Sequence, residues 1–298
     1  MERVVAIVVT YNRKHLLKEN LECLQKQNAD NLDILIIDNC STDGTEDYIK
    51  DYIGQENVYY IKMEKNLGGA GGFNIGIKEA YKRGYDYFWI MDDDTMPKED
   101  CLQQLLKADE MLKGNYGFLC SYVKWTDGTY CVMNGPHISN NWMEKVDLLD
   151  DGLLAVESAS FVSIFIPAKA VRECGLPVKE FFIWGDDVEY TERLAQKYPC
   201  YLCKKSEVIH KMGSNCNTNI VIDSKERLNR YQYMFRNRFF IAKKKGTVAV
   251  LKYCFWILKQ LKGAFIHAEN YRFRRCRIIL KGMLKGIVFS PKIEKAED

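Results

Sequence analysis

Three consecutive aspartates, Asp92-Asp93-Asp94, follow the apolar run YFWIM. Carboxylates crowded at the end of a buried strand repel one another and lose hydration, and a bound divalent cation removes that conflict. Mg2+ or Mn2+ held this way keeps coordination positions open for substrate phosphates. The same run also reads as a solvated stretch that caps the helix beginning near Pro97. A second acidic cluster, WGDDVEY at 184–190, carries Asp186, Asp187 and Glu189. One of these carboxylates could serve as a general base on a hydroxyl within hydrogen-bond reach. They also suit the positive end of a helix dipole. His210 is one of four histidines. A lone histidine is commonly structural, but beside a carboxylate-bound metal it would be a nitrogen ligand, which favours Mn2+.

The stretch NLGGAGGFNIG, residues 66–76, devotes five of eleven positions to glycine. Gly71 and Gly76 have the spacing of a Walker phosphate loop, but Ile77 stands where the lysine belongs. Gly69 and Gly71 begin a dinucleotide fingerprint that fails at Asn74. The stretch is therefore neither motif. It is either a flexible turn or a strand-to-helix loop whose bare backbone N–H groups approach an anionic or sugar ligand.

The elements that must position these residues alternate. RVVAIVVT, LDILIID, NVYYIKM and YDYFWIM read as buried strands. RKHLLKENLECLQ, STDGTEDYIKDYI, GFNIGIKEAYKRG and KEDCLQQLLKADEMLK read as the intervening helices, the last with Pro97 near its start. The alternation predicts an α/β fold with a mostly parallel sheet, in which ligands sit at the carboxyl ends of the strands. Those ends carry Thr10-Tyr11-Asn12-Arg13, Asp38-Asn39, Asn66 with the glycines, and the triple aspartate. Every unusual polar cluster of the first half thus falls on one sheet edge.

From about 115 the pattern changes. YGFLCSYVKWTDGTYCVM predicts a hairpin turning at Asp127-Gly128, ESASFVSIFIP a strand, and CYLCKKSEVIHK a strand ending near His210. Beyond about 225 the chain is helical and basic. From Lys225 onward there are 19 Lys and Arg against 5 Asp and Glu, while the remainder carries 24 against 35. One apolar stripe runs Leu251, Cys254, Phe255, Leu258, Leu261, Phe265, and another Phe273, Cys276, Leu280, Met283, Ile287. Basic amphipathic helices with aromatics read as segments lying on an anionic membrane surface. The plainer reading packs them on the catalytic half or on a second subunit, so a homo-oligomer stays open. No nucleic-acid motif accompanies the charge. Only KIEKAED at the end is expected to be disordered.

Eleven cysteines with irregular spacing suit free thiols in a reducing compartment. The C-x-x-C of Cys200 and Cys203 lacks a second pair to complete a metal site, and its strand-like setting gives it a structural role. The apolar run VVAIVV is too short for a signal peptide, so the expected location is cytoplasmic, at the inner face of the cell membrane.

Taken in order, VVTYNR, IIDNCSTDG, NLGGAGGFNIG, MDDDT, FFIWGDDVEY, VIHK and YQYMFRNR resemble the motifs of family 2 glycosyltransferases over about residues 3–240, most like the bacterial galactofuranosyltransferase branch. The resemblance implies a GT-A fold and an inverting transfer from a UDP-sugar. It implies that Thr10, Asn12, Arg13 and Asp38 cradle the nucleoside, that Asp92, Asp94 and His210 hold Mn2+ or Mg2+, and that Asp93 lies close to the nucleotide sugar. Asp187 would be the base, and Asp186 would help to hold the acceptor. Some relatives have an aromatic residue directly before the aspartates; here it is Gly185, with Trp184 one step earlier, so the acceptor wall differs. Asn66, Gly69 and Gly71 would floor the donor. The expected donor is UDP-galactofuranose, and the expected acceptor is a cell-surface glycan on a polyprenyl carrier. Alternatives are a rhamnosyltransferase using dTDP-rhamnose and a non-catalytic nucleotide-sugar-binding subunit. A sugar nucleotidyltransferase would want a glycine-rich loop after the first strand, and TYNRKH has none. The expected division is a catalytic unit over 1–223, with a nucleotide half to about 115 and an acceptor half over 116–223, followed by a basic helical region over 224–298.

Overall fold

The computed structural model describes residues 2–29 and 31–297. The elements in chain order are β1 (Val4–Thr10), α1 (Lys14–Gln25), β2 (Leu32–Asp38), α2 (Thr45–Tyr48), α3 (Lys50–Ile53), β3 (Val58–Lys62), α4 (Gly68–Lys82), β4 (Tyr87–Asp92), β5 (Thr95–Pro97), α5 (Cys101–Leu112), β6 (Leu119–Trp125), β7 (His137–Ile138), β8 (Leu153–Ser158), β9 (Ile164–Pro167), α6 (Ala168–Cys174), α7 (Asp186–Ala195), β10 (Tyr201–His210), α8 (Tyr231–Lys245), α9 (Thr247–Ile266) and α10 (Arg272–Val288).

The strands form one sheet in the order β3-β2-β1-β4-β9-β6-β10-β8-β7, with β5 paired to β10. The first four are parallel, as the strand–helix alternation requires. β9 then enters antiparallel between β4 and β6, while β6 and β10 run parallel. Every residue of β1 is buried, which is why it reads as a continuous, mostly β-branched run rather than an alternating one. One face of the sheet packs Val4, Ala6, Val8, Ile34 and Ile36 against Leu17, Leu21 and Leu105 of α1 and α5. The other packs Val5, Ile7, Leu35 and Ile37 against Phe73 and Ile77 of α4 and Leu194 of α7. Cys203 joins the first layer and Cys200 the second, so the C-x-x-C pair is split across the sheet and both thiols are buried and free.

Several local expectations are corrected. The glycine stretch is not a loop: α4 already begins at Gly68. STDGTEDYIKDYI forms two single-turn helices, α2 and α3, that meet at Ile49. Pro97 belongs to β5, where it pairs with Val208, and α5 starts only at Cys101. The turn at Gly128 forms, with φ of 84°, but its return arm makes only an isolated bridge from Tyr130 to Lys124. ESASFVSIFIP splits into β8 and β9.

The tail expected to be disordered is ordered through residue 297; its last residue, 298, lies outside the described residues. The Leu176 N–H donates to the Glu294 carbonyl at 2.8 Å, Lys78 and Lys179 grip the Glu294 carboxylate at 2.5 and 2.8 Å, and Ala296 is buried.

The basic helices pack on the chain through faces other than most of the two predicted stripes. Their buried faces carry Tyr253, Ile257 and Ala264 on α9 and Ile278 and Ile279 on α10, packed against Tyr231, Met234 and Phe235 of α8. Much of both predicted stripes points outward: Phe255 is 71% exposed and Phe273 81%, with Leu251, Leu258, Phe265, Leu280 and Ile287 also exposed. Among the described residues, no helix is long and apolar enough to cross a membrane.

Candidate active site

The carboxyl ends of β1, β2 and β4 converge on the acidic run. The Thr10 hydroxyl, at the end of β1, donates to Asp93 at 2.7 Å. The Arg13 guanidinium bridges Asp93 at 3.2 Å and Asp94 at 2.6 Å. On the far side, His210 at the end of β10 meets Asp94 through Nε2 at 2.9 Å. Its Nδ1 lies 2.8 Å from Oδ1 of Asn134. That oxygen only accepts, so Nδ1 carries a proton and Nε2 is the nitrogen left to face the acids. Asp92, Asp94 and His210 each offer one ligand atom, and these atoms lie within 4.8 Å of one another. Two carboxylate oxygens and one imidazole nitrogen at this spacing fit a divalent cation of the Mn2+ or Mg2+ type.

The electrostatics of the cluster are strained in the way such a site requires. Loss of hydration and repulsion by Asp94 push the Asp92 carboxyl well above the ordinary carboxylate range. Burial raises Asp93 to about 6 despite Arg13. Burial would raise Asp94 too, but the hydrogen bond and charge of His210, together with Arg13, pull it below its usual value. Burial would discharge His210; the hydrogen bond it donates to Asp94, its contact with Cys131 and the charges of Asp94 and Asp92 instead hold it up, to about 10. Arg13 is likewise held above its ordinary value by the three aspartates, against the effect of burial.

A second network ties the β1 and β2 ends. Asn12, with φ of 53°, donates its N–H to Ser41 Oγ at 2.9 Å and accepts the Thr42 N–H at 2.7 Å. Asp38 is fully buried; it accepts the Ser41 N–H at 2.7 Å and the Tyr60 hydroxyl at 2.5 Å. Both lie at the predicted strand edge, and both are engaged in shaping the loop that follows β2.

The start of α4 forms the third wall. Asn66 Oδ1 accepts the Gly68 N–H at 2.7 Å, and Asn39 Nδ2 donates to the Gly68 carbonyl at 3.0 Å. The glycines have separate reasons. Gly68 has φ of 73° and its α-carbon lies against the Phe182 backbone. Gly72 and Gly76 let α4 approach β1 and β2, since a Cβ there would meet Val9 and Ile7. A Cβ on Gly71 would strike the Leu67 side chain just before the helix. Gly69 alone of the five faces open space.

The Ala70 N–H donates to the Phe182 carbonyl at 3.3 Å, which brings the WGDD segment against this wall. Asp186 and Asp187 open α7 after Gly185, whose φ is 90°. Asp186 is buried; burial and then Asp187 raise its carboxyl to about 7. Asp187 is partly exposed and accepts the Val188 N–H at 2.8 Å; burial raises its pKa, against backbone N–H groups and the charge of Arg238. Glu189 is instead buried in ion pairs with Arg193 and Lys244, both at 2.9 Å, and has a structural role. Trp184, with φ of 64°, rests its ring 4.9 Å from that of Tyr231.

The sequence places Asn39 only on the polar strand edge and Arg238 only within YQYMFRNR, with no role for either, and it gives no signal at all for Asn134, whose partner His210 is remote in the chain.

A mixed sheet whose first half is parallel, with an acidic cluster at the strand ends, is the arrangement of GT-A proteins. The solved structure of TarS from S. aureus superposes with a TM-score of 0.56 at 15% identity, covering 97% of this chain and 44% of that one. A structure of GalNAc-T7 with UDP, GalNAc and Mn2+ gives a TM-score of 0.61 at 13% identity over 80% of this chain and 50% of that one. Galactofuranosyltransferase GlfT1 of Mycolicibacterium smegmatis is 23% identical over 268 residues, 84% of this chain and 86% of the relative. GlfT1 of Mycobacterium tuberculosis is 28% identical over 221 residues, 72% of each. The family model for glycosyl transferase family 2 matches residues 5–162, more than half of the chain, which therefore belongs to that family of glycosyltransferases.

Proposed function

We propose that the chain is an inverting, metal-dependent galactofuranosyltransferase that moves galactofuranose from UDP-galactofuranose to a hydroxyl of a lipid-linked cell-surface glycan. The observation that carries the reading is the Asp92–Asp94–His210 donor set, gathered at the ends of β4 and β10 beside Arg13. The likeness to two galactofuranosyltransferases over most of the chain supports the donor sugar.

In this reading Asp187 takes the proton of the acceptor hydroxyl. The acceptor oxygen attacks the anomeric carbon as the bond to the diphosphate oxygen breaks, and UDP leaves with that electron pair. Inversion follows from attack opposite the leaving group. A divalent cation, when bound, supplies the positive charge that the leaving diphosphate needs. Arg13, which bridges Asp93 and Asp94, would add its positive charge there, and Asp93, held by Thr10, would face the donor sugar. Asn12 and Asp38 shape the nucleoside cradle, and Asn66, Gly69 and Gly71 border the donor. Asp186 and Trp184 orient the acceptor. Residues 1–223 form the catalytic unit, and 224–298 a basic helical layer that rests on the anionic cytoplasmic face of the membrane where a polyprenyl-linked acceptor resides.

Thermal stabilisation by nucleotide sugars, with and without Mn2+, tests the reading. A ligand at 100 times its Kd adds about 2.7 kcal/mol to stability. UDP-galactofuranose should raise the Tm, and more so with Mn2+. Stabilisation only by dTDP-rhamnose would move the donor to rhamnose, and UDP binding unaffected by metal would remove the metal role. Binding without any UDP release would leave a nucleotide-sugar-binding subunit.

A further inference from the structure

We infer that the segment YQYMFRNR at the start of α8 is a positioning clamp for the acidic start of α7, with Asn237 as its central residue. The inference rests on the reading of Asp187 as base and concerns what holds that residue in place.

The segment Phe181–Gly185 has an improbable backbone. Phe182 has φ of 66°, Trp184 of 64° and Gly185 of 90°. A bulky side chain at positive φ is rare and costs on the order of 1–3 kcal/mol, so the surroundings must hold it. Asn237 does so from across the fold. It is fully buried, and its side-chain amide donates to the carbonyls of Phe181 at 3.0 Å, Ile183 at 3.2 Å and Trp184 at 2.8 Å. Arg236 donates to the Phe181 carbonyl at 3.1 Å and also to that of Glu180. Arg236 in turn donates to the Asn237 side-chain oxygen at 2.9 Å, which fixes the way the amide points. Two rings of the same helix complete the grip: Tyr233 stacks on Phe182 at 4.8 Å, and Tyr231 meets Trp184.

What is clamped is the short link between two walls of the cleft. At one end the Phe182 carbonyl takes the Ala70 N–H at the start of α4; at the other, the chain passes into Asp186 and Asp187. The α4 side has its own anchor in Asn39. The α7 start relies on α8, so releasing Asn237 should disorder the acidic residues more than the donor side. Asn237 is thus a positioning residue that touches neither substrate.

The test compares wild type, Asn237→Ala and Tyr233→Ala in the full chain. The readouts are the UDP dissociation constant with Mn2+, kcat for UDP release from UDP-galactofuranose with water as acceptor, and amide exchange over residues 181–187. Asn237→Ala is expected to lower kcat at least tenfold, to keep UDP affinity within twofold, and to speed exchange over 181–187. Tyr233→Ala, which removes only a half-buried ring, should show the same pattern at smaller size and covers the case in which Asn237→Ala does not fold. A kcat within twofold of wild type in a folded Asn237→Ala, unchanged exchange over 181–187 in either variant, or loss of UDP binding in step with kcat would overturn the clamp. If wild type itself releases no UDP, the donor reading falls, and exchange together with UDP binding decides the clamp on its own.

Discussion

With the donor placed as proposed, the glycine-rich start of α4 would separate folding from ligand binding within one helix, and alanine substitutions should make that separation visible. At Gly76 a Cβ would stand 2.5 Å from Ile7 Cγ2 and 3.1 Å from Ile37 Cγ1, both in the middle of buried strands. Neither isoleucine has room to retreat, since both are fully buried. Overpacking of this kind costs about 1–3 kcal/mol. Alanine's preference for helix over glycine returns about 1 kcal/mol. An approach of 2.5 Å to a fully buried side chain belongs in the upper part of the overpacking range, about 2–3 kcal/mol, so the net loss for Gly76→Ala is about 1–2 kcal/mol, or roughly 2–8 °C in Tm at about 2–4 °C per kcal/mol. Gly69→Ala meets nothing within 4 Å and should leave the Tm unchanged or slightly raised. The proposed donor lies over that open space, so Gly69→Ala should weaken UDP-galactofuranose binding while sparing stability. Thermal unfolding and titration calorimetry on the two variants read both effects. Wild-type stability in Gly76→Ala would refute the close-approach argument, and wild-type donor affinity in Gly69→Ala would make that glycine only part of a helix start.

Asp187→Asn should bind UDP with Mn2+ as wild type does and lose about 10²–10⁴-fold in kcat, the usual worth of a general base; near-normal turnover would remove it from that role. The C-terminal strap should detach in acid. Burial alone would raise the Glu294 carboxyl, but Lys179 and Lys78 hold it at about 2, below the ordinary 4.5. A depressed folded-state value means that its contribution, on the order of 2 kcal/mol after screening, is present above pH 4.5 and is lost as pH falls from there toward 2. Glu294→Gln should abolish that part of the acid sensitivity, and an unchanged acid-unfolding profile would count against it. The full chain should sediment with anionic vesicles and release in high salt, and Phe255→Ser with Phe273→Ser should weaken it; equal binding to neutral vesicles would leave charge without a role.

What was legible in the sequence follows from where each signal resides. The parallel strands β1, β2 and β4 are buried on both faces, so their apolar runs stand out without alignment or periodicity. The polar residues that end them had to share one edge, because parallel strands all point the same way. The triple aspartate and His210 were visible as residue types, and the structure brings three of those four side chains within ligand distance. The amide side chains that orient His210 and the segment before Asp186 had no readable role. Asn134 lies 76 positions from His210, and Asn237 lies 53 from Trp184. A neutral amide makes sense only once its tertiary partners are known. The glycine stretch was misread as a loop because glycine's poor helix propensity was taken at face value, whereas helix–sheet contact overrides it at Gly72 and Gly76.

The outward stripes of α9 and α10 have a cause in packing. The face of α10 that meets α8 is built on small residues. A Cβ on Gly282 would stand 2.7 Å from that of Phe235 and 2.8 Å from the Gln232 carbonyl; one on Gly286 would stand 2.7 Å from the Phe239 Cβ. The two helices approach so closely that their contact is nearly backbone to side chain. Arg275 fills the far end of the interface, buried and donating to the carbonyls of Ile220 and Asp223. With the glycine face turned inward, Phe273, Leu280, Leu284 and Ile287 must turn outward, because they lie elsewhere around the helix. Phe265 of α9 meets Phe273 ring to ring at 6.0 Å, which joins the two exposed faces into one patch with Lys259, Lys262, Arg277 and Lys281 exposed on the same two helices. An apolar surface of this extent on an otherwise polar exterior is maintained against its own tendency to bury. The same α8 packs against α9 and α10 and grips the segment before α7, so the exposed patch and the proposed base share one supporting helix.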